Sequence, residues 1–154
     1  MAEIRIQGLA DLKRALNELP AKIEKNIMRG ALRAGANEIK KAAQANVPVK
    51  SGALKNSIKV STRARKDRYM RARVTAGDKT AFYAHMVEFG TAAHRIRPKG
   101  KKSLFFAGIA RTAVEHPGAE QRPFMRPALD SASQAAVQAT ADDIRNRLAK
   151  ERAK

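Results

Sequence analysis

The chain has 154 residues, the length of one ordinary domain, and it contains no cysteine, which excludes a disulfide framework and a thiolate zinc site. Its formal net charge is +18, and residues 51–102 hold 14 basic and 3 acidic residues, so the middle of the chain attracts polyanions without implying that any base sequence is read. No apolar run has the length of a signal peptide or of a bilayer span, so we expect a single domain (1–154) that is made in the cytoplasm and has no membrane partner.

The N-terminal third is predicted to be mainly helical. Residues 3–7 alternate polar and apolar like a short strand, and leucines recur on one helical face over residues 9–19. A longer apolar stripe that begins at Ile23 predicts an amphipathic helix of about six turns. This helix ends near Val47, because a residue that precedes proline is pushed out of helical geometry.

Residues 57–77 predict a β-hairpin with one basic face. The run from Ser57 to Arg63 alternates, with Ile58, Val60 and Thr62 on one side, and the run from 70 to 76 repeats the pattern. The apolar side must pack on the helices. The opposite side and the loop carry Arg63, Arg65, Lys66, Arg68, Arg71 and Arg73.

An aromatic stretch follows the hairpin. Phe82, Met86 and Phe89 fall at helical spacing, and Gly90 stands where a C′ glycine ends a helix. We interpret the aromatic residues at 82–89, 105–106 and 124 as core, because core is the commoner fate of such a stripe.

The C-terminal half is predicted to hold strands, a loop and a last helix. Residues 94–97 and 103–107 are expected to pair around a turn at 98–100, and 108–114 give no clear pattern. A loop rich in proline and glycine leads to a helix over about residues 127–150, with its final residues frayed. Its apolar stripe is Leu129, Ala132, Ala136, Val137, Thr140, Ile144 and Leu148.

Few side chains suggest chemistry. His85 and Glu88 lie three residues apart on a predicted helix, where a general acid–base pair would fit. No nucleophile, phosphate-binding glycine loop or third partner accompanies them. The alternative is that Glu88 accepts hydrogen bonds from the backbone of the next turn or pairs with Arg95 or Arg97. We therefore expect no catalytic, cofactor or metal site.

The basic hairpin also resembles a ribbon that contacts nucleic acid. Such surfaces interleave aromatic side chains that stack on bases, and here Tyr69 alone is placed to do so. The pattern therefore indicates contact with a phosphate backbone at most.

Three segments, in this order, resemble a known family. VPVKSGALKNSI (47–58) is similar to its Pro-x-x-(Ser/Thr)-Gly-x-Leu-x-x-Ser-(Ile/Val) signature. FYAHMVEFGTAAHRIRPKGKKSLFF (82–106) is similar to its Tyr-Ala-x-x-Val-Glu-(Phe/Tyr)-Gly-Thr centre and the strands after it. HPGAEQRPFMRPAL (116–129) is similar to its His-Pro-Gly and Pro-Phe-x-x-Pro-Ala-Leu finish. From about residue 8 to 150, the chain resembles the tail-component family of long-tailed bacteriophages, the small neck or tail-completion proteins of lambdoid-type siphophages and their prophages.

The resemblance implies an α+β fold like that of tail terminators, in which an antiparallel β-sheet packs against a long N-terminal helix and a C-terminal helix. It implies a virion assembly protein rather than an enzyme, a ring subunit at the head–tail junction, built in the cytoplasm of the bacterial host. The expected partners are other copies in a hexameric or twelve-fold ring, neighbouring neck and tail-tube proteins, and the packaged DNA through non-specific contact. No cofactor is implied.

Matched to this sequence, the motifs give three sets of candidate residues. A structural corner comprises Tyr83, Glu88, Gly90 and Thr91. Turn and anchor positions are Pro48, Gly52, Leu54, Pro117, Gly118, Pro123, Phe124 and Pro127. The surface that contacts partners is the basic hairpin together with Arg95, Arg97, Lys99, Lys101 and Lys102.

One alternative explains the charge without the motifs, namely a stand-alone basic protein that binds nucleic acid. Such a protein should bind tightly with a steep salt dependence, whereas a neck protein should bind weakly or at low salt only.

Overall fold

The computed structural model describes residues 21–64, 69–100, 102–106 and 108–153, apart from the side chains of residues 21, 22, 106 and 152. The strand predicted at 3–7 and the helix predicted at 9–19 lie outside the described residues. So do Arg65, Lys66, Arg68 and Lys101 of the predicted basic surface, and the side chain of Phe106.

Among the described elements, two long helices flank two short helices and six short strands. The helices are α1 (Ala21–Asn46), α2 (Ala53–Ser57), α3 (Ala84–Phe89) and α4 (Met125–Arg152). The strands are β1 (Lys59–Ala64), β2 (Met70–Thr75), β3 (His94–Ile96), β4 (Leu104–Phe106), β5 (Ile109–Arg111) and β6 (Val114–His116). The predicted α+β class is confirmed. Within the described ranges, no helix is both long and apolar enough to cross a membrane.

Helices α1 and α4 form the largest contact of the fold, and small residues line it. Ala31 of α1 and Ala136 of α4 are buried. A Cβ atom added to Gly35 would collide with Thr140 Oγ1 and lie 2.6 Å from the Ala136 carbonyl oxygen. The absence of side-chain bulk at this point therefore sets how closely the two helices approach.

The buried stripe of α4 differs from the predicted one at its start. The helix begins at Met125 rather than near 127, and Ala128, Ala132, Ala136 and Ile144 face the core. Leu129 was predicted in the stripe but is 52% exposed. The prediction was wrong there because the stripe follows steps of four from Ala128, and Leu129 lies about 100° away around the helix.

Strands β1 and β2 form the antiparallel hairpin, which packs on α1. The residue pairs run from Lys59 opposite Thr75 to Ala64 opposite Met70. Exposed and half-buried residues alternate along both strands, as period-two patterning requires.

Ser57 was predicted on the outer face of the hairpin, and that prediction was wrong. It ends α2 and is 1% exposed. Its hydroxyl donates to the Leu54 carbonyl oxygen at 2.7 Å and accepts from the Gly77 N–H at 2.9 Å. The strand starts two residues later because this serine ties the helical turn to the end of β2.

The chain between the paired residues Thr91 and Ala119 forms a projecting arm (residues 92–118). Strand β3 pairs with β6, and β4 pairs with β5, so the predicted pairing of 94–97 with 103–107 was wrong. The chain reverses at Gly108, whose φ of 80° suits a tight turn, rather than at 98–100. The described strands thus make three two-stranded sheets instead of one continuous sheet.

Candidate functional site

The carboxylate of Glu88 caps the N-terminus of α4 from a distant part of the sequence. Its Oε2 atom accepts hydrogen bonds from the backbone N–H groups of Phe124 at 2.8 Å and Met125 at 2.9 Å, and Oε1 accepts from Arg126 N–H at 3.1 Å. Phe124 occupies the N-cap position and has no capping side chain of its own. Glu88 therefore satisfies the free donors of a helix that begins 37 residues later, at its positive end.

The ionisation of Glu88 follows from this contact. Burial acts to raise the pKa of Glu88, but the N–H groups of Met125, Phe124 and Arg126 and the nearby Arg126 charge outweigh it and hold the pKa below its ordinary value. The side chain is thus a stable carboxylate at neutral pH.

Backbone hydrogen bonds join the same two segments on either side of Glu88. Arg122 N–H donates to the Val87 carbonyl oxygen at 2.8 Å. Thr91 and Ala119 exchange two hydrogen bonds, of 2.9 and 3.1 Å. Thr91 thus satisfies backbone groups through its own main chain, and the end of α3 is joined to the segment before α4 at several points.

Gly90 lies between these contacts and has two reasons to be glycine. Its φ of 71° and ψ of −175° belong to a region open almost solely to glycine. A Cβ atom here would lie 2.7 Å from Ala119 O and 2.9 Å from Gln121 N. The positive φ agrees with the prediction, but ψ is extended rather than left-handed helical. The chain therefore leaves α3 in an extended conformation and reaches Thr91, which pairs with Ala119.

Gly118 stands on the other side of the same junction. A Cβ atom added to it would collide with the Thr91 carbonyl oxygen and lie 2.9 Å from Ala92 C. Its N–H donates to His116 Nδ1 at 3.0 Å, and the ring of His116 stacks on that of His94 with centroids 5.0 Å apart. The base of the arm is therefore a close contact between two backbones.

One buried cluster draws on all three segments that carry the family resemblance. Leu54 and Ile58 come from the first, Ala84 from the second, and Phe124 and Ala128 from the third. Phe124 is 1% exposed and is the largest fully buried side chain in the described residues. The three segments, far apart in sequence, thus form one structural unit.

The other predicted anchor positions lie around this cluster. Gly52 adopts a left-handed conformation before α2, and its carbonyl oxygen accepts from Asn56 N–H at 3.0 Å. Pro127 lies in the first turn of α4, where a missing N–H is tolerated. The other prolines among the predicted anchor positions are exposed and lie in loops, namely Pro48, Pro117 and Pro123.

A groove of about 440 Å³ opens at the corner. Its apolar lining includes Leu54, Tyr83, Met86 and Val87, and its edges carry Lys50, Lys55, Glu120 and Arg122. The corner residue Tyr83 is half-buried and packs against the shared cluster while it faces the groove.

The aromatic residues of α3 and the arm were predicted as core, and that prediction was wrong for three of them. Phe82 is 67% exposed, Phe89 is 71% exposed and Phe105 is 80% exposed, whereas Phe124 is buried as predicted. Helical spacing places Phe82, Met86 and Phe89 on one face, but the face that packs on the core is the one with Ala84 and Val87. We call the exposed set Phe82, Met86 and Phe89 the α3 patch.

Comparison with family models decides the wider identity. The model described as "Bacteriophage HK97-gp10, putative tail-component" matches residues 10–90, which is more than half of the chain. The chain belongs to this family. The resemblance read from the motifs is therefore confirmed, and the protein is a phage tail component. A search of curated proteins and a search of solved structures each found no match, so a tail-terminator-like fold stays a prediction.

The family match covers one half of the corner of this HK97-gp10-like tail component. It includes the first motif, the β1–β2 hairpin, and α3 up to Gly90. The partners of Glu88 and Gly90, at Ala119 and Phe124–Arg126, lie beyond it. The contacts of Glu88 explain why an acid stands at this point of the matched segment.

The two residues of the acid–base pair considered from the sequence each have another partner in the structure. Both oxygens of Glu88 are engaged by backbone N–H groups of α4, and His85 Nδ1 lies 3.1 Å from the Phe82 carbonyl oxygen. Among the described residues, no group of three or more acids and histidines lies close enough to hold a metal ion. Glu88 is thus placed to fix structure.

The sequence reasoning missed two residues that shape the site. Ser57 joins α2 to the end of β2, as described above. The Asp78 carboxylate accepts hydrogen bonds from the N–H groups of Thr80 and Ala81 at 3.0 and 3.1 Å and pairs with Lys59. The hydrogen bond from Ala81 contributes most, and together these contacts lower the pKa of Asp78. The Gly77–Asp78 pair was a turn signal that could have located Asp78, whereas a lone serine before a strand gives little warning.

Proposed function

We propose that this tail component is a ring subunit at the head–tail junction, acting in tail completion or as a terminator at the proximal end of the tail. The ring is closed and symmetric, hexameric or twelve-fold, and the subunit works by surface complementarity rather than by catalysis. It contacts other copies of itself and neighbouring neck and tail-tube proteins, and it resides in the virion after assembly in the host cytoplasm.

The observation that carries this proposal is the α3 patch. Phe82 and Phe89 each leave most of their ring in solvent, and Met86 is 38% exposed beside them. Large apolar side chains left in solvent at neighbouring positions of one segment support an interaction site. Aromatic residues and methionine are also the types enriched at protein interfaces. A neighbouring protein that covers the patch accounts for residues that a solitary domain would bury.

The position of the patch supports an interface of fixed geometry. α3 is held at its C-terminal end by the Glu88 bonds and by the Arg122–Val87 bond. Met86 and Phe89 therefore lie on a short helix that is fixed at its C-terminal end, and Phe82 lies in the turn just before it. A ring needs an interface of defined angle to close, because a small angular error accumulates around the subunits.

The arm supplies a second exposed apolar surface. Phe105 is 80% exposed and Ile109 is 55% exposed, near the turn at Gly108. An isolated two-stranded hairpin is marginally stable in water, and β4–β5 has no extensive contact with another described element. Packing of the arm against a neighbour in the particle would stabilise it.

Electron microscopy of particles whose reading frame for this chain is deleted tests the proposal. We expect full heads separate from tails, or tails of abnormal length. Normal infectious particles would remove the protein from the junction.

A surface variant tests the α3 patch itself. We expect the double substitution Phe82→Ser and Phe89→Ser to leave the protein soluble and folded, since both rings are exposed. We also expect the variant protein, supplied in place of the deleted one, to fail to restore infectious particles. Leu129→Ser is the matched control, because Leu129 is also an exposed apolar residue but lies on α4. Full complementation by the double variant would refute a role for the patch.

A second candidate is a stand-alone nucleic-acid-binding protein, favoured by the arginines on the exposed face of the hairpin. It predicts tight binding that survives at physiological salt. Family membership and the α3 patch give it no support, so we rank it below the ring subunit.

A further inference from the structure

The exposed face of the β1–β2 hairpin gathers three arginines at adjacent positions. Arg63 lies directly opposite Arg71, and Arg73 lies opposite Ser61. All four are exposed. Together with Thr75 they line a shallow concavity of about 160 Å³. We call this set the arginine face.

No acid compensates the arginine face within the described part of the chain. The nearby Lys59 is paired with Asp78 at 3.2 Å, whereas Arg63, Arg71 and Arg73 make no ion pair with a described Asp or Glu. Like charges directly opposite each other destabilise a strand pair. A polyanion that binds between the arginines would remove this repulsion.

The chemistry of the face distinguishes a nucleic acid from an acidic protein as its partner. Arginine is common both at protein interfaces and at phosphate contacts, but the hot spots of protein interfaces add large aromatic anchors in a well-packed centre. The residues that line the concavity include no aromatic side chain, and Val60, Ala72 and Val74 point to the opposite side and are half-buried. Tyr69, which is 71% exposed, lies just before β2 and outside this lining. Contacts with phosphate backbones are instead made by arginine, serine and threonine, and guanidinium groups bind phosphate oxygens in pairs.

We infer that the arginine face binds the phosphate backbone of duplex DNA, without reading its sequence. This inference rests on the proposed function for the place where DNA is met, namely the head–tail junction. It goes further by assigning DNA to one face of the hairpin and protein neighbours to the α3 patch. Three phosphate contacts give weak binding that a moderate rise in salt abolishes.

Titration of the 154-residue chain with a mixed-sequence duplex DNA at several salt concentrations tests the inference. Three contacts predict that affinity falls about 40-fold between about 50 and about 200 mM salt. The triple substitution Arg63→Gln, Arg71→Gln and Arg73→Gln should remove most of this dependence. The matched control is Lys25→Gln, Arg29→Gln and Arg33→Gln, which removes the same number of charges from exposed positions of α1, outside the predicted partner surface.

The outcomes separate the possibilities. Loss of DNA binding in the hairpin variant with near-normal binding by the α1 control supports the inference. Equal loss in both variants would mean that only net charge matters, and would overturn it. A polyglutamate of matched charge that binds as tightly as DNA would also overturn it, in favour of an acidic protein.

Two further readouts keep the test decisive. If the triple variant does not fold, Arg71→Gln alone should reduce the slope of log affinity against log salt by about 1. The DNA titration uses purified protein, whereas the proposed function is tested by the deletion particles. If the deletion leaves heads and tails unjoined but the purified protein does not bind DNA, the proposed function is supported and this inference is refuted.

Discussion

Replacement of Glu88 by glutamine changes the contact between α3 and α4 by one atom and one charge. The carboxylate accepts three backbone hydrogen bonds at 2.8 to 3.1 Å, and two of them share Oε2. Glutamine retains one acceptor oxygen and places an NH₂ group where the second oxygen stood. At least one N–H of α4 then loses its partner, and the attraction between a negative charge and the helix N-terminus is lost.

The size of the effect follows from capping energetics. Loss of an N-cap contact destabilises a protein by about 0.5–2 kcal/mol, and loss of a charge at a helix N-terminus by about 0.3–1 kcal/mol, so we expect Glu88→Gln to lower the free energy of unfolding by about 1–2 kcal/mol. For a chain of this length that corresponds to a fall in Tm of about 2–8 °C. Glu88→Ala leaves all three donors unpaired and should lower stability by about 2–3 kcal/mol.

The pH dependence gives the decisive readout. Because the pKa of Glu88 is lowered in the folded state, its carboxylate stabilises the fold above the ordinary glutamate pKa of about 4.3, and that contribution is lost as the pH falls through the lowered value. The difference in Tm between the parent protein and Glu88→Gln should thus be constant near neutral pH and shrink in acid.

Thermal unfolding followed by circular dichroism at several pH values measures both quantities. Glu120→Gln is the control, since Glu120 is exposed and lies in the same loop region. A Glu88→Gln protein within about 1 °C of the parent at pH 7, or a difference that persists unchanged in acid, would refute the capping role.

Three further predictions concern backbone and core positions. Gly90→Ala should lower the free energy of unfolding in urea by at least about 2 kcal/mol, because it adds a clash to an unfavourable φ. Gly100 also has a positive φ but open space around it, so Gly100→Ala should cost about 1–2 kcal/mol. Equal effects of the two substitutions would contradict the close approach of Gly90 to Ala119. Gly35→Ala should destabilise the contact between α1 and α4 and lower the Tm. Gly30→Ala meets only the end of a flexible arginine side chain, so it should be neutral or stabilise by up to about 1 kcal/mol. The reverse order of Tm values would contradict the packing of α1 against α4 described above. Ser57→Ala should lower stability by about 1–3 kcal/mol, since it leaves the Gly77 N–H unpaired, and an unchanged urea midpoint would rule out a role for that bond.

Elements that depend on local patterning could be predicted from the sequence. The bounds of α1 follow from the apolar stripe after Ile23 and from Pro48, and the hairpin follows from strict alternation on both strands. Within the two strands the faces were also assigned correctly, because alternation fixes which side chains share a face once one side must be buried, whereas Ser57, just before β1, was assigned to the wrong face.

Features that depend on distant partners could not be predicted in the same way. Glu88 was expected to bind the backbone of the next turn or Arg95 or Arg97. That was wrong, because its donors are the N–H groups of Phe124, Met125 and Arg126, which nothing local identified. The pairing in the arm depended on which of two glycine-containing segments reverses the chain between paired strands, and both Gly100 and Gly108 have a positive φ. Helical spacing placed Phe82 and Phe89 on a common face, yet spacing does not say whether a face meets the core or the solvent.

The exposed aromatic residues and the arginine face differ in what supports them, and this bears on how the subunit works. The α3 patch is held by α4, through Glu88 and the segment before Phe124. The arginine face belongs to a hairpin that packs on α1. A change at the corner should therefore displace the protein interface while it leaves the arrangement of the arginines intact. Under the proposed function, separate supports let a ring fix the angle between its subunits through one surface and hold DNA through the other. The hold through the arginine face is weak, because it consists of a few contacts that salt screens.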